Sequence, residues 1–420
     1  MAWEIAGVAF LVAALGAGCA PRVAVTSSGR TITSTAGAAT TLDGDVAELV
    51  RESDETDREF RSRGLVVEDD PGLQAYLDSV ASRVAAAEGP SAIACRFAVF
   101  RDAVQNAFAL PNGSIYVSMG LLSSLESEAQ LAYVLGHELA HIVRGHSIEQ
   151  LRHFKSATVK AKLADVLLGF PLAPAIALVH AASVNGFSRE KESEADAEGL
   201  RLVATAGYSA ADAIRIFDLH DAAEELGGSE AYFFSDHPAA LDRVEQAKQT
   251  LASGILSSDG FSGRERHRTA TGPIARRTID LCLQRQLYTK GLREAERQLA
   301  WRGEDPWLLY YAAEAHRLIA ADPEGAAREA AARRRARADA ALIESWRARV
   351  GVERAAAKEA YEKALAANPA FGSAHRGLGL LARDVADYAT ARTELRTYLR
   401  SGESIPDRRA IERILEEVSS

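Results

Sequence analysis

One eleven-residue stretch constrains this chain more than any other part of its sequence: GHELAHIVRGH, from Gly136 to His146. Apolar residues around it recur at helical spacing, which predicts an amphipathic helix. On that helix His137 and His141 lie one turn apart, so both imidazoles project from one face and can bind one metal ion. Glu138 lies beside that face, within reach of a water on the metal. The stretch predicts the metal site of a hydrolase; the alternative is two histidines without a metal.

Local signals support a defined helix at this position. Ser127, followed three residues later by Gln130, predicts a capping box at the helix start. Gly136 and Gly145 flank the motif, although glycine inside a helix costs about 1 kcal/mol relative to alanine. We therefore expect a close approach of another element at both glycines.

A catalytic zinc ion needs a third protein ligand, which leaves its fourth position for water. A second helical stretch, Phe187 to Leu200, offers several acidic side chains. Glu192 and Asp196 lie one turn apart on a face that also carries Gly199, which favours tight packing against the first helix. We predict that Glu192 is the third ligand and that Asp196 orients a histidine ligand. Glu194 is the alternative ligand.

Four segments follow one another as in the M48 family of zinc metallopeptidases: NAFALPNGSIYVSMGLL, GHELAHIVRGH, SREKESEAD and DHPAALDR. The similarity extends from about Ala75 to Ala247. The resemblance implies a zincin-like α+β domain, mostly helical with a small sheet. It also implies one Zn²⁺ per chain and hydrolysis of peptide bonds in protein substrates. In that family the third ligand begins a Glu-x-x-x-Asp element, which matches Glu192 and Asp196.

The last of these segments supplies two further candidate catalytic residues, His237 and Arg243. In the family that the chain resembles, these positions approach the metal and stabilise the oxyanion, or regulate access to it. A positive or hydrogen-bonding group there would aid a tetrahedral intermediate. Because His237 precedes a proline, the alternative is that it is only a turn residue.

A short strand is a candidate for binding the substrate. Asn112-Gly113 is typical of a hairpin turn, and the residues after it have strand composition. In zinc peptidases of this shape an edge strand beside the metal helix pairs with extended substrate backbone. We therefore predict that this strand binds substrate, the alternative being an ordinary core hairpin; its residues are Ser114, Ile115, Tyr116 and Val117.

The N-terminus has the pattern of an export signal, residues 1–19. Its apolar run from Ile5 to Gly18 is too short to span a bilayer comfortably. The letters LGAGC resemble a lipobox that would leave Cys19 lipidated, although Glu4 and Gly16 depart from that pattern. An interfacial helix is the alternative. Residues 20–41, rich in Ser, Thr, Gly and Ala, predict a flexible tether. We expect a location in the bacterial periplasm, with membrane anchoring through Cys19 left open.

A polar stretch around residues 257–272 predicts a domain boundary. We place the peptidase domain at 42–255, a linker at 256–277 and an all-α array at 278–420. The segment Ala356–Leu399 resembles tetratricopeptide repeats, and Glu294–Pro323 resembles a more degenerate copy. Such repeats stack into a surface that binds peptides or partner proteins. The alternative is a set of helices that only caps the first domain.

These features together predict an exported zinc endopeptidase whose helical array selects client or envelope assembly proteins for quality control in the cell envelope. The net charge of −9 argues against a nucleic-acid partner. A competing hypothesis is a chaperone-like binding protein with a latent or regulated peptidase site. The intact His137, Glu138 and His141 pattern and the Glu192 element count against a vestigial site, but they do not exclude a latent one.

Overall fold

The computed structural model describes the backbone of 23–25 and 32–34 and the following longer parts of the chain: 44–89, 95–149, 187–217, 240–254, 256, 259–334 and 336–418. The predicted export signal with Cys19, and His237, lie outside the described residues. In the segment predicted as a tether, β1 (Val23–Val25) pairs antiparallel with β2 (Ile32–Ser34). Across the described parts of the chain, we find no helix that combines the length and the apolar character needed to cross a bilayer.

A three-stranded sheet lies at the centre of the first domain. Its strands are β3 (Arg96–Phe100), β4 (Ala107–Ala109) and β5 (Ser114–Ser118). The spatial order is β3-β5-β4, with β5 parallel to β3 and antiparallel to β4. Gly113 has φ +84° in the tight connection between β4 and β5, which favours glycine because a Cβ is strained there. The predicted hairpin is thus confirmed.

The expectation that the strand after this turn is an edge strand is wrong. β5 is the central strand, paired on both sides, and all five of its residues are buried. Its main-chain groups therefore pair with β3 and β4 and are not available to a substrate. This corrects the prediction that the strand binds substrate through Ser114, Ile115, Tyr116 and Val117.

The open edge of this sheet is β4. The outer side of β3 is covered, because Val66 bridges Phe100 and the Val67 N–H donates to the Val99 carbonyl over 2.9 Å. In the described part of the chain, no strand pairs with the outer side of β4.

Seven helices are described around this sheet: α1 (Gly44–Ser62), α2 (Pro71–Ala87), α3 (Met119–Ser124), α4 (Glu128–Val143), α5 (Arg189–Thr205), α6 (Ala210–Ala213) and α7 (Ala240–Ala252). α4 is the central helix, and every residue from Glu128 to Ile142 is buried. It packs against α2, α5 and β4. The first domain is therefore mostly helical with a small sheet, as the α+β prediction requires.

Nine helices follow in the described residues: α8 (Arg264–Gln284), α9 (Tyr288–Arg302), α10 (Pro306–Ala321), α11 (Pro323–Arg333), α12 (Ala340–Ala348), α13 (Val350–Ala367), α14 (Gly372–Asp384), α15 (Tyr388–Arg400) and α16 (Arg408–Glu417). α8 packs on α9 and α14 on α15, while α10 packs along α13 across the intervening α11 and α12. Because α10 and α13 pack on each other, α11 and α12 form an insertion between them in the sequence. α12 has no buried residue.

The predicted linker is for the most part a helix. Residues 264–277 belong to α8, which begins after Gly263 at φ +67°. Ile274 is fully buried in the core of the first domain, and Thr271 is fully buried as well. The sequence predicts a linker here because arginines separate the few apolar residues that α8 buries, so no helical period stands out. The helical array is thus packed directly onto the first domain.

Candidate metal centre

Three buried side chains converge where α4 meets α5: His137, His141 and Glu192. The Nε2 atoms of the two histidines are 3.0 Å apart. Glu192 Oε2 lies 3.5 Å from His137 Nε2, and Glu192 Oε1 lies 3.6 Å from His141 Nε2. All three residues have no exposed surface. The structure therefore brings together the three residues that the sequence predicts as ligands.

The spacing of these atoms fits a tetrahedral metal ion. Ligand atoms about 2.0–2.1 Å from a tetrahedral zinc ion lie about 3.3–3.4 Å from one another. The observed separations of 3.0, 3.5 and 3.6 Å lie around that value. Two imidazole nitrogens and one carboxylate oxygen are also the donor set of catalytic zinc sites that leave one position for water. The residues present therefore fit zinc.

A contact between two glycines sets the distance between α4 and α5. A Cβ on Gly136 would lie 3.3 Å from the Gly199 Cα, and a Cβ on Gly199 would lie 3.1 Å from the His137 nitrogen. Both neighbours are backbone atoms, which cannot move aside as a side chain can. The close approach expected at Gly136 is confirmed. At Gly145 the expectation is not met among the described residues: none of their heavy atoms outside the adjacent residues lies within 4 Å of the Cβ position, and the residue instead has φ +76°.

The start of α4 is as the sequence predicts. The Ser127 side chain accepts the Gln130 N–H at 3.2 Å, which caps the helix. The Gln130 side chain accepts a hydrogen bond from the Glu126 N–H at 2.6 Å. In a capping box this second bond would come from the Ser127 N–H, so here the reciprocal bond is displaced by one residue.

Asp196 lies directly behind His137. Its Oδ1 is 3.0 Å from His137 Nδ1. Asp196 also accepts hydrogen bonds of 2.6 Å from the Tyr133 hydroxyl and from the Nε and Nη2 atoms of Arg243. Burial would raise the pKa of Asp196, but the Arg243 guanidinium outweighs burial and holds that pKa well below its usual range. The ionised carboxylate keeps the His137 proton on Nδ1 and leaves Nε2 to face the metal position.

Arg243 contacts two of the carboxylates of α5, those of Asp196 and Glu192. Besides its two bonds to Asp196, its Nη1 lies 3.3 Å from Glu192 Oε2. The residue is 2% exposed, and its guanidinium carbon lies 5.8 Å from the centre of the Phe217 ring. Each guanidinium nitrogen thus faces a carboxylate of the site. The oxyanion contact predicted for Arg243 stays a prediction, as does that of His237.

Glu194, the alternative ligand, lies outside the metal cluster. Its side chain is 45% exposed and pairs with Arg144 at 3.3 Å and with His146 at 3.5 Å. A helix turns by about 100° per residue, so Glu194 points about 200° away from Glu192. The geometry therefore favours Glu192 over Glu194.

Two residues at the site were not singled out from the sequence, His146 and Phe187. His146 Nδ1 lies 3.0 Å from His141 Nδ1. The Phe187 ring stacks on the His141 ring, with the ring centres 3.9 Å apart and the planes at 16°. Burial lowers the pKa of His146 against the opposing influence of Glu194. Their signal was weak, because neither residue has helical spacing from His141.

Comparison with known proteins agrees with this geometry. The family model described as peptidase family M48 matches residues 71–251, a range that holds all three candidate ligands. Residues 71–251 are a family M48 peptidase domain. The helices from residue 278 onward lie outside the matched range.

Several curated relatives align with this domain. The mitochondrial metalloendopeptidase OMA1 of Schizosaccharomyces pombe is 33% identical over 176 residues, 42% of this chain and 52% of the relative. A putative beta-barrel assembly-enhancing protease of Vibrio cholerae is 29% identical, over 43% of this chain and 39% of the relative. Metalloprotease YcaL of Escherichia coli is 29% identical, over 38% of this chain and 63% of the relative. The chain spans between 39% and 63% of the length of these relatives.

Proposed function

We propose that this chain is a zinc-dependent endopeptidase that acts on proteins. The observation that carries the proposal is the buried cluster of His137, His141 and Glu192, at tetrahedral spacing inside a family M48 domain. The names of the relatives support it, since they include metalloendopeptidases and metalloproteases.

Each group near the cluster has a task in this proposal. A bound zinc ion would polarise the scissile carbonyl and lower the pKa of a water molecule. Glu138, buried on α4 beside His137, takes the proton of that water and passes it to the leaving amine. Arg243 and Asp196 position the ligands, because the guanidinium pairs with Asp196 and Glu192. In this proposal His237 stabilises the oxyanion of the tetrahedral intermediate by a hydrogen bond.

The substrate in this proposal is an extended polypeptide that lies along β4. Asn106 and Leu110 exchange hydrogen bonds with β5, since Ser118 N–H donates to Asn106 and Leu110 N–H donates to Ser114. Hydrogen-bonded and outward-facing residues alternate along an antiparallel strand, so the main-chain groups of Ala107 and Ala109 face the open edge. Pairing through main-chain groups binds a peptide with little sequence preference.

The proposal extends to protein quality control in the bacterial envelope. One relative is named a putative beta-barrel assembly-enhancing protease. The packed helices of the array suit a repeat-like surface for client or partner proteins. Export to the periplasm, with or without lipidation of Cys19, completes this proposal. The competing chaperone-like function finds no specific support in the geometry.

The first experiment measures zinc per chain in protein purified without added metal. We expect about one zinc ion in the wild type and in Glu194→Ala, and far less in Glu192→Ala, because a structural carboxylate ligand is lost only in the latter. The reverse pattern would make Glu194 the ligand. No zinc in any of the three proteins would refute the proposal.

A second readout separates metal binding from catalysis. Glu138→Gln keeps the size of the side chain but removes the base, so we expect normal zinc content and a loss of about 10²–10⁴ in the rate of cleavage of a denatured protein. Undiminished cleavage by Glu138→Gln would show that the proton is taken by another group.

A further inference from the structure

A second pair of side chains lies behind the other histidine ligand. His141 Nδ1 is 3.0 Å from His146 Nδ1, and His146 Nε2 is 3.5 Å from Glu194 Oε2. His146 is 4% exposed, so its contact with His141 is shielded from water, whereas Glu194 lies at the surface. His141, His146 and Glu194 thus form a row of contacts that leads from the metal cluster to the surface.

Metal binding by His141 would determine which nitrogen of each histidine carries the proton. If His141 presents the Nε2 lone pair to a metal, its proton lies on Nδ1. The facing Nδ1 of His146 is then the acceptor, and the His146 proton lies on Nε2, on the side of Glu194. Both rings are neutral in this arrangement, so no unpaired positive charge is buried. His146 thereby favours the one tautomer of His141 that can bind the metal.

The backbone is shaped to bring His146 to this position. In a continuous helix a residue five positions on is rotated by about 500°, and so points about 140° away from the first. α4 instead ends at Val143, and Gly145 has φ +76°, with no close contact of its Cβ position among the described residues. Glycine is therefore present for its backbone conformation. Residues 146–149 begin a new helical segment. Its first residue, His146, has its side chain in contact with His141.

The His141 ring is also held on its flat side. Phe187 stacks on it at 3.9 Å between ring centres, while His146 contacts its edge. The two contacts restrict the ring in two different directions. A ring fixed before metal binding loses little rotational freedom when the metal arrives.

We propose that His146 is a positioning residue for the metal, which accepts the His141 Nδ1–H and is itself held by Glu194. This inference rests on the proposed function, since it takes His141 as a zinc ligand. It gives the two histidine ligands different supports: a carboxylate behind His137 and an imidazole behind His141.

A matched pair of variants tests the proposal. Leucine and asparagine have nearly the same shape, but only the asparagine oxygen can replace His146 Nδ1 as an acceptor. We expect the zinc dissociation constant, measured by competition with a chelator, to rise about 10–100-fold in His146→Leu and only a few-fold in His146→Asn. Equal losses in both variants, or no loss in His146→Leu, would overturn the proposal.

One control, one substitute pair of variants and one further measurement complete the test. Ser147→Ala changes a buried neighbour in sequence, and we expect it to leave zinc affinity unchanged. If His146→Leu does not fold, the exposed Glu194 offers a milder change, with a zinc dissociation constant a few-fold higher in Glu194→Leu than in Glu194→Gln. Because Glu194 is not a ligand, the zinc content stays near one ion per chain in all Glu194 variants. The absorption spectrum of the cobalt-substituted protein should shift in His146→Leu and not in His146→Asn; an unshifted spectrum in His146→Leu counts against the proposal.

The wild type separates this inference from the proposed function. No zinc in the wild type overturns both. One zinc ion in the wild type, lost in His141→Ala but bound equally tightly by His146→Leu, overturns only the inference about His146.

Discussion

At the scale of single residues, Asp196 connects three helices of the metal centre, although it is not one of the three candidate ligands. Asp196 is in contact with His137, Tyr133 and Arg243, and it connects α4, α5 and α7 through these three side chains. A buried carboxylate without partners would be too costly to remain ionised. Arg243 supplies most of the compensation, because it makes two of the bonds and carries the opposite charge.

Two substitutions around Asp196 should therefore differ in their effect on the free energy of unfolding. Arg243→Met leaves two buried carboxylates without their cation and should cost about 3–5 kcal/mol. Tyr133→Phe removes one hydrogen bond and should cost about 1 kcal/mol. Urea denaturation of zinc-free protein measures both. Arg144→Met is the control, because Arg144 pairs with the exposed Glu194 and such pairs contribute about 0–1 kcal/mol. Similar losses for Arg243→Met and Tyr133→Phe would contradict this account.

At the scale of elements, two arrangements determine what the site can do. The contact of Gly136 with Gly199 brings α5 close enough for Glu192 to reach the histidines of α4. The sheet order β3-β5-β4 leaves β4 as the open edge in the described residues, next to α4. The helix that carries two of the candidate ligands is thus a neighbour of the strand along which we propose that substrate lies.

The open edge can be tested with one proline. Ala109→Pro removes a main-chain N–H that faces away from β5, and an edge strand tolerates proline where that N–H is not used by the sheet. We expect kcat/KM for a denatured protein to fall about tenfold, a loss of about 1.4 kcal/mol, from a lost hydrogen bond to substrate. Zinc content should not change.

Ala109→Ser, which keeps the N–H, is the matched control for this substitution. If Ala109→Pro cleaves as well as Ala109→Ser, substrate does not pair with β4.

At the scale of the whole molecule, the array and the peptidase domain share a core. α8 buries Ile274 in the core of the first domain. Side chains of α9 donate hydrogen bonds to carbonyl groups at the end of α3. Gln298 Nε2 and Arg297 Nη2 each lie 2.8 Å from the Ser123 carbonyl. These bonds satisfy helix-end carbonyls that would otherwise be buried without donors.

Truncation should reveal this shared core. A chain ending at Gly303 keeps α8 and α9, so we expect it to bind about one zinc ion and to unfold cooperatively. A chain ending at Thr271 loses Ile274 and the donors to Ser123, so we expect it to lose zinc and to aggregate. Zinc content and size-exclusion chromatography measure the difference. Full zinc binding by the shorter chain would show that the peptidase domain does not need α8.

The same junction should make the protein sensitive to acid. His267 on α8 is fully buried, with Nδ1 2.7 Å from the Tyr76 hydroxyl. Burial, helped by the charge of Arg302, lowers the pKa of His267 to about 3. The unfolded chain takes up this proton near pH 6.5, so the free energy of unfolding falls as pH drops below about 6.5, by at most about 1.4 kcal/mol per pH unit.

Denaturation of zinc-free protein between pH 7.5 and about pH 4 tests this linkage. His267→Gln should have a flatter dependence of the free energy of unfolding on pH than the wild type. His375→Gln is the control, because His375 lies beside Glu394 in the array and is not fully buried. Parallel curves for the wild type and His267→Gln would show that His267 is not kept neutral by the fold.

The sequence by itself determined the features that depend on local spacing. His137, Glu138 and His141 follow from a helical period, the hairpin from Asn112-Gly113 and the start of α4 from Ser127. The spacing of the acidic residues also favours Glu192 over Glu194, and the geometry supports that prediction.

Only the tertiary structure decided which elements meet. β5 is central, α8 is part of the first core, and His146 reaches His141 across a break in the helix. The first two have no local signature, because strand order and helix docking depend on contacts between distant segments. The third depends on the left-handed backbone of Gly145, which the helical period of the sequence does not indicate. Helical periodicity therefore identified the ligands, and long-range packing decided what surrounds them.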